Sequence, residues 1–154
     1  MPRYFISLAY DGSAYHGWQI QPNARSVQEE IQTALSKLHG NQAIEVVGCG
    51  RTDAGVHSQH YFLHTDLPQT WDLQQLVFKL NRMTAPDVAF KQAWEVSSDL
   101  HARFDASKRT YRYFIHQHKN PFVCASSWYL ESPLDCDQMN EAAKYLLGTQ
   151  DFSS

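Results

Sequence analysis

Basic residues are in short supply. Thirteen lysines and arginines face 16 aspartates and glutamates over 154 residues, which gives a formal net charge of -3 and a pI near 6.2. A chain so balanced has no overall field to attract a polyanion, so any nucleic-acid contact must come from a local patch. Cysteine is equally sparse. Cys49, Cys124 and Cys136 form no CxxC pair, and an odd, scattered set argues against a disulfide framework and for a reducing, cytoplasmic setting. No apolar run approaches the roughly 18 residues of a membrane-spanning helix. Met1-Pro2-Arg3-Tyr4 does not open a basic leader with an apolar stretch behind it, so neither export nor membrane insertion is expected. Also missing are a glycine loop followed by Gly-Lys-Ser or Gly-Lys-Thr and a GxGxxG that opens a helix, which removes the usual mononucleotide and dinucleotide sites. There is no internal repeat, low-complexity tract or extended linker.

What the chain does have is core material: 43% of it is hydrophobic and 13% aromatic, enough for one full domain or for one domain and part of another. Residues 3–10 read as a strand that stops at the turn dipeptide Asp11-Gly12. A loop with Tyr15, Trp18, Gln19 and Gln21 follows. Ser26-Val27-Gln28-Glu29 is a capping box, after which Val27, Ile31, Ala34, Leu35 and Leu38 share one helical face until Gly40. The β-branched run Ile44-Glu45-Val46-Val47 predicts a strand ended by Gly48 and Gly50, and residues 58–65 predict another. Thr70 or Asp72 can cap a second helix with Leu73, Leu76, Val77, Leu80 and Met83 inward, closed by Ala85-Pro86-Asp87. Residues 88–96 read as a fourth strand.

This order is β-α-β-β-α-β, an α+β unit of the ferredoxin-like kind over residues 1–100, in which two helices cover one face of an antiparallel sheet and leave the other for a ligand. Residues 101–154 then open a second α+β unit: a long strand over 108–117, a short one over 127–130, and a helix over 135–147 with Met139, Ala142, Ala143, Leu146 and Leu147 inward. No strand follows that helix to complete a sheet, so the second unit is expected to be incomplete and the chain a fragment.

Chemistry concentrates in Gly50-Arg51-Thr52-Asp53-Ala54-Gly55-Val56-His57, at the end of the second predicted strand. Two glycines allow a tight turn, and an extended backbone there puts Arg51 and Asp53 on the same face, because side chains alternate with a period of two. A guanidinium within reach keeps a carboxylate ionised and oriented. An aspartate in a glycine-rich turn can equally be a plain turn former that bonds its own backbone.

A second segment, residues 101–113, gathers Arg103, Lys108, Arg109 and Arg112 against Asp105 and interleaves them with Phe104, Tyr111 and Tyr113. Cations neutralise phosphates and rings stack on bases, so the mixture suits RNA with unstacked nucleotides. An ordinary solvated edge strand would carry similar charges. On a strand, Arg109, Tyr111 and Tyr113 would share one face and Lys108, Thr110 and Arg112 the other. Eight histidines, among them His57, His60, His64, His116 and His118, invite a metal reading. No cysteine or carboxylate set completes a tetrahedral site at recognisable spacing, so no metal is expected and the histidines are read as surface or RNA-facing.

Taken together, Tyr10-Asp11-Gly12 with Gly17-Trp18-Gln19, residues 50–57, residues 101–113 and the closing residues 148–154 resemble the TruA family of tRNA pseudouridine synthases over essentially the whole chain. The resemblance implies isomerisation of uridine to pseudouridine in the tRNA anticodon stem-loop, at positions 38 to 40, without cofactor or metal and in a homodimer. It implies that Asp53 is the nucleophile, that Arg51 pairs with and orients it, and that Tyr111 packs against the target uracil, with proton abstraction from C5 a further role. His57, Arg103, Lys108, Arg109 and Arg112 are the RNA-contact set. Family members are longer, so this chain is expected to turn over poorly alone. Two other readings come from different classes. A noncatalytic RNA-binding module shares the topology, yet the segment carrying Tyr61 and Phe62 lacks the RNP1 pattern. A phosphodiesterase using Asp53 and histidines would require a metal.

Overall fold

The computed structural model describes residues 1–149, and residues 150–154, which close both the resemblance and the expected second domain, lie outside the described residues. The chain divides into two compact units, Met1–Lys108 and Arg109–Ser154.

The first unit contains β1 (Arg3–Tyr10), a short 3-10 turn (Gly12–Ala14), α1 (Val27–Leu38), β2 (Val47–Gly48), β3 (Ser58–Asp66), α2 (Leu73–Met83) and β4 (Val88–Val96). The strands form one sheet in the order β2-β3-β1-β4, with every neighbouring pair antiparallel. Helix α1 starts where its capping box places it: Ser26 is extended and its side chain accepts the Glu29 N–H at 3.2 Å. Gly40, at φ +67°, turns the chain away just past its end, a conformation that costs glycine little. Asp72, not Thr70, caps α2 by accepting the Gln75 N–H at 2.8 Å.

The core lies between the helices and one sheet face. Tyr4, Ile6, Leu8 and Tyr10 of β1, Tyr61 and Leu63 of β3, and Val88, Phe90 and Ala93 of β4 pack with Val27, Ile31, Ala34, Leu35, Leu76 and Leu80. Each fully buried branched aliphatic contributes roughly 1.5–3 kcal/mol. In β4 the buried positions run 88, 90, 93, because the register against β1 slips between Ser7 and Leu8, where the partner jumps from Gln92 to Phe90. That bulge returns Ala93 to the core face. Met83, expected inward, is 39% exposed at the last residue of α2, where the chain turns away.

One predicted strand shrinks. Only Val47–Gly48 pairs with β3, although Ile44 and Val46 are buried as expected. Side chains take over the backbone bonds of the preceding residues: Thr65 Oγ1 donates to the Glu45 carbonyl and Gln28 Nε2 to that of Val46, both at 2.7 Å. A backbone satisfied in this way needs no neighbouring strand.

The helix-free face is partly covered. His64 is buried there, stacked on Phe5 at 6.0 Å and edge-on to His101 at 4.6 Å. Its Nδ1 accepts the Ala102 N–H at 3.1 Å. The turn so anchored closes on itself, with Asp105 accepting the His101 N–H at 2.6 Å and His101 accepting the Asp105 N–H at 3.0 Å. Arg3 forks onto Asp66 with two bonds of 2.8 Å and reaches the Leu100 carbonyl at 2.9 Å, which ties the same stretch to β1 and β3.

The second unit differs most from expectation. Its strands are β5 (Ile115–His116) and β6 (Trp128–Tyr129), paired parallel, and its helix is α3 (Cys136–Lys144). Of the long strand expected over 108–117, Ile115–His116 is the part assigned as strand, and the Phe114 carbonyl just before it accepts the Trp128 N–H of β6 at 2.8 Å. Asp135 caps α3 through the Gln138 N–H at 2.9 Å, but the helix buries none of its residues, and Met139, Leu146 and Leu147 are 51, 60 and 87% exposed. Periodicity identified the apolar stripe, but it carries no information on what covers it.

Candidate active site

Residues 50–57 leave β2 as an irregular loop, clamped from two sides. Underneath stands Tyr61 of β3, whose hydroxyl donates a short hydrogen bond to the Gly50 carbonyl and lies 3.4 Å from the Gly50 N–H. Along one flank runs the loop after β1. Its Trp18 N–H bonds the Thr52 carbonyl at 3.1 Å, its Tyr15 carbonyl accepts the Gly55 N–H at 3.2 Å, and its Gly12 N–H meets His57 Nδ1 at 3.2 Å. Tyr10 and Thr52 share a hydroxyl–hydroxyl bond of 2.9 Å. Within the loop the Val56 N–H returns to the Asp53 carbonyl at 3.2 Å, and Gly55 adopts φ +77°.

This approach leaves no room for side chains at two glycines. A Cβ on Gly12 would overlap the Val56 carbonyl, and one on Gly17, itself at φ +90°, would overlap that of Thr52. The sequence motifs that lie forty residues apart are thus one structure. Its outward side carries Arg51 and Asp53, both exposed.

Among the described residues neither the Arg51 nor the Asp53 side chain has a hydrogen bond or an ion pair, so the expected contact between them is not formed here. His57 is fixed by Gly12 and lies 3.0 Å from Asp11. The Asp11 carboxyl is held below its ordinary value, chiefly by hydrogen bonds from Ser13, with His57 a smaller contributor. Arg103 and Lys108 are exposed residues of the first unit, and Arg103 lies over the Phe104 ring at 6.0 Å. Tyr111, 63% exposed, belongs to the second unit with Arg109 and Arg112, which are also exposed. No group of three or more His, Cys, Asp or Glu side chains that could hold a metal ion occurs among the described residues.

The profile of the family described as tRNA pseudouridine synthase matches residues 6–105, a span that includes most of β1, the clamped loop and the His101 turn. The chain belongs to the tRNA pseudouridine synthase family. Relatives of that family agree along its whole length. It is 47% identical over 154 residues to tRNA pseudouridine synthase A of Bacteroides thetaiotaomicron, covering all of this chain and 57% of the relative. Identity to the proteins of the same name from Porphyromonas gingivalis and Limosilactobacillus reuteri is 43% and 40%, covering all of this chain and 62% of each relative. The chain therefore spans about three-fifths of the length of the curated relatives it matches.

Among pseudouridine synthase features, the sequence pointed to the 50–57 loop but not to the residues that hold it. In the sequence Tyr10 is a strand residue and part of the resemblance, Trp18 lies in the loop after it, and Tyr61 stands in a segment without the RNP1 pattern; in the fold they are 4, 3 and 3% exposed and belong to the core. A signal was available in Gly12, Gly17 and Gly48, glycines clustered around aromatics, which mark close approach.

Proposed function

We propose that this chain is the nucleophile-bearing part of an enzyme that converts uridine to pseudouridine in the anticodon stem-loop of tRNA, at positions 38 to 40. The observation that carries the reading is the exposed carboxylate of Asp53 on a loop whose backbone is bonded at Gly50, Thr52, Asp53 and Gly55. A nucleophile held on a fixed backbone needs little reorganisation to meet its target. The supporting frame is a ferredoxin-like split βαβ, a reading favoured by the β-α-β-β-α-β element order and the β2-β3-β1-β4 sheet.

The reaction breaks the bond from ribose C1′ to uracil N1, turns the base, forms the bond from C1′ to C5 and releases the C5 proton. Asp53 serves as nucleophile at uracil C6 or at ribose C1′, or assists elimination to a glycal; each route uses its ionised carboxylate. Arg51, two residues away, swings to pair with and orient it when the base enters. A uridine within a stem must be extruded at a cost of a few kcal/mol, which stacking on a ring partly restores. Tyr111 is the proposed ring and a proposed acceptor of the C5 proton. His57, Arg103, Lys108, Arg109 and Arg112 contact the RNA. The enzyme works in the cytoplasm, as a homodimer, without cofactor or metal.

Because it spans three-fifths of its relatives' length, the isolated 154-residue chain turns over slowly. The test uses tRNA labelled with tritium at uracil C5 and protein in excess. Slow tritium release by the chain, abolished in Asp53→Ala with tRNA affinity retained, is expected. Equal release by both proteins overturns the assignment of Asp53, and release at a rate typical of a complete enzyme overturns the claim of slow turnover.

A further inference from the structure

Three aromatic side chains are stacked beneath the loop that presents Asp53. Tyr10, Trp18 and Tyr61 are 4, 3 and 3% exposed. Trp18 lies on Tyr61 with ring centroids 4.1 Å apart, and Tyr10 meets Tyr61 edge-on at 5.5 Å and Trp18 at 6.3 Å. Each reaches the loop with a polar group, as described above: Tyr61 at Gly50, Trp18 through its backbone at the Thr52 carbonyl, Tyr10 at the Thr52 hydroxyl.

The geometry at Gly50 is unusual in one respect. A single phenolic oxygen is the partner of both backbone groups of that residue, accepting near its N–H and donating to its carbonyl. Two bonds from one atom fix the rotation of the flanking peptides about the chain direction. Arg51 and Asp53 follow within three residues. Gly48 adds a second requirement, because a Cβ there would collide with the Tyr61 hydroxyl and, at 2.5 Å, with the Trp18 ring. The glycine exists where the hydroxyl must pass.

We propose that Tyr61 is a positioning residue for Asp53, its hydroxyl setting the orientation of the backbone that carries Arg51 and Asp53, with Trp18 fixing the ring and Tyr10 fixing Thr52. It touches no substrate and acts through the loop. This inference rests on the reading of Asp53 as the nucleophile. An error of about 1 Å in the placement of a reacting group can cost on the order of 10²-fold in rate. A residue that merely filled the core would instead affect the stability of the whole unit.

Tyr61→Phe keeps the ring on Trp18 and removes the hydroxyl. Native-state amide exchange of the 154-residue chain, read residue by residue, is the deciding measurement. Protection at Gly50, Gly55 and Val56, whose N–H groups bond the Tyr61 hydroxyl and the Tyr15 and Asp53 carbonyls, is expected to fall at least tenfold in Tyr61→Phe, while amides of β1 and β3 change less than threefold. Tyr10→Phe, the milder companion, should lower protection of the Trp18 N–H, which bonds the Thr52 carbonyl, and spare Gly50. In single-turnover tritium release, Tyr61→Phe should lose tenfold or more in rate at unchanged tRNA affinity. Unaltered protection at Gly50, Gly55 and Val56, or an equal loss of protection throughout the unit, overturns the proposal. If Asp53→Ala releases tritium as fast as the unsubstituted chain, the nucleophile reading has failed, and the exchange measurement still decides whether Tyr61 holds the loop.

Discussion

The backbone N–H of Gly12 and the Nδ1 of His57 meet at 3.2 Å, joining the turn after β1 to the end of the loop that bears Asp53. Asp11 Oδ1 lies 3.0 Å from the same nitrogen. One ring nitrogen cannot accept from the first and donate to the second at once. With Nδ1 bare the ring serves Gly12; with a hydrogen on Nδ1 it serves Asp11, and the Gly12 N–H loses its acceptor.

Replacing His57 by leucine leaves the N–H of the buried Gly12 without that acceptor. The expected cost is about 1–2 kcal/mol, the penalty of an unsatisfied buried donor. A urea midpoint unchanged from the parent protein would show that water replaces the imidazole at no cost.

The positive-φ glycines divide into two kinds. Gly55→Ala meets only backbone strain, since open space surrounds the added Cβ, whereas Gly17→Ala meets the same strain and an overlap with the Thr52 carbonyl. The first should cost about 1–2 kcal/mol and the second more than 3 kcal/mol. Equal losses in denaturant unfolding would mean that the loop moves freely away from Gly17, contrary to the clamping described.

Burial pushes the His64 imidazole down to about 4, with the charge of Arg3 and then that of His101 adding to the effect. The unfolded chain binds this proton near pH 6.5 and the folded one only near 4, so stability falls as pH drops through that window. The loss approaches about 3 kcal/mol at its lower end. His64→Asn keeps an acceptor for the Ala102 N–H but cannot titrate, and should flatten the pH dependence of unfolding between 4 and 6.5. A slope as steep as the parent's would assign the titration elsewhere.

The side chain of Asp53 is exposed and, among the described residues, unpartnered. Asp53→Asn should therefore leave folding stability within about 0.5 kcal/mol, the usual range for surface positions, while abolishing tritium release. A large fall in melting temperature would reveal a structural duty for the carboxylate, that of the plain turn former.

Lys108 and Arg112 are proposed to touch phosphates. Each alanine variant should weaken tRNA binding and reduce the slope of log affinity against log salt by about 1. Loss of affinity with an unchanged salt slope would point to damage of the fold instead of a lost phosphate contact.

Much of the first unit was legible because its signals are local. The Ser26 capping box, the alternation in β1 and the apolar stripe of α1 each fix their element within a few residues of chain. Where the outcome depends on a distant partner, local patterns failed. Residues 44–46 look like strand and are buried like strand, yet Thr65 and Gln28 claim their carbonyls. Residues 108–117 have strand composition, yet only Ile115–His116 is strand, and the apolar stripe expected inward on α3 is exposed among the described residues. The loop of Asp53 was visible as a motif, but its support was not. Tyr61 lies eight residues downstream on another strand, and no spacing rule connects its hydroxyl to Gly50.

The bulge at Lys91 and Gln92 bears on how the chain behaves among copies of itself. β4 is a nine-residue strand at the end of the sheet order, the longest edge in the first unit. A regular strand of that length would offer an uninterrupted row of donors and acceptors to any unfolded neighbour. The extra residue breaks the row midway and places Lys91 on the exposed side, its ammonium held by the Gln59 carbonyl at 2.6 Å. Straightening β4 by deleting one residue there would turn this border into a template for fibre growth.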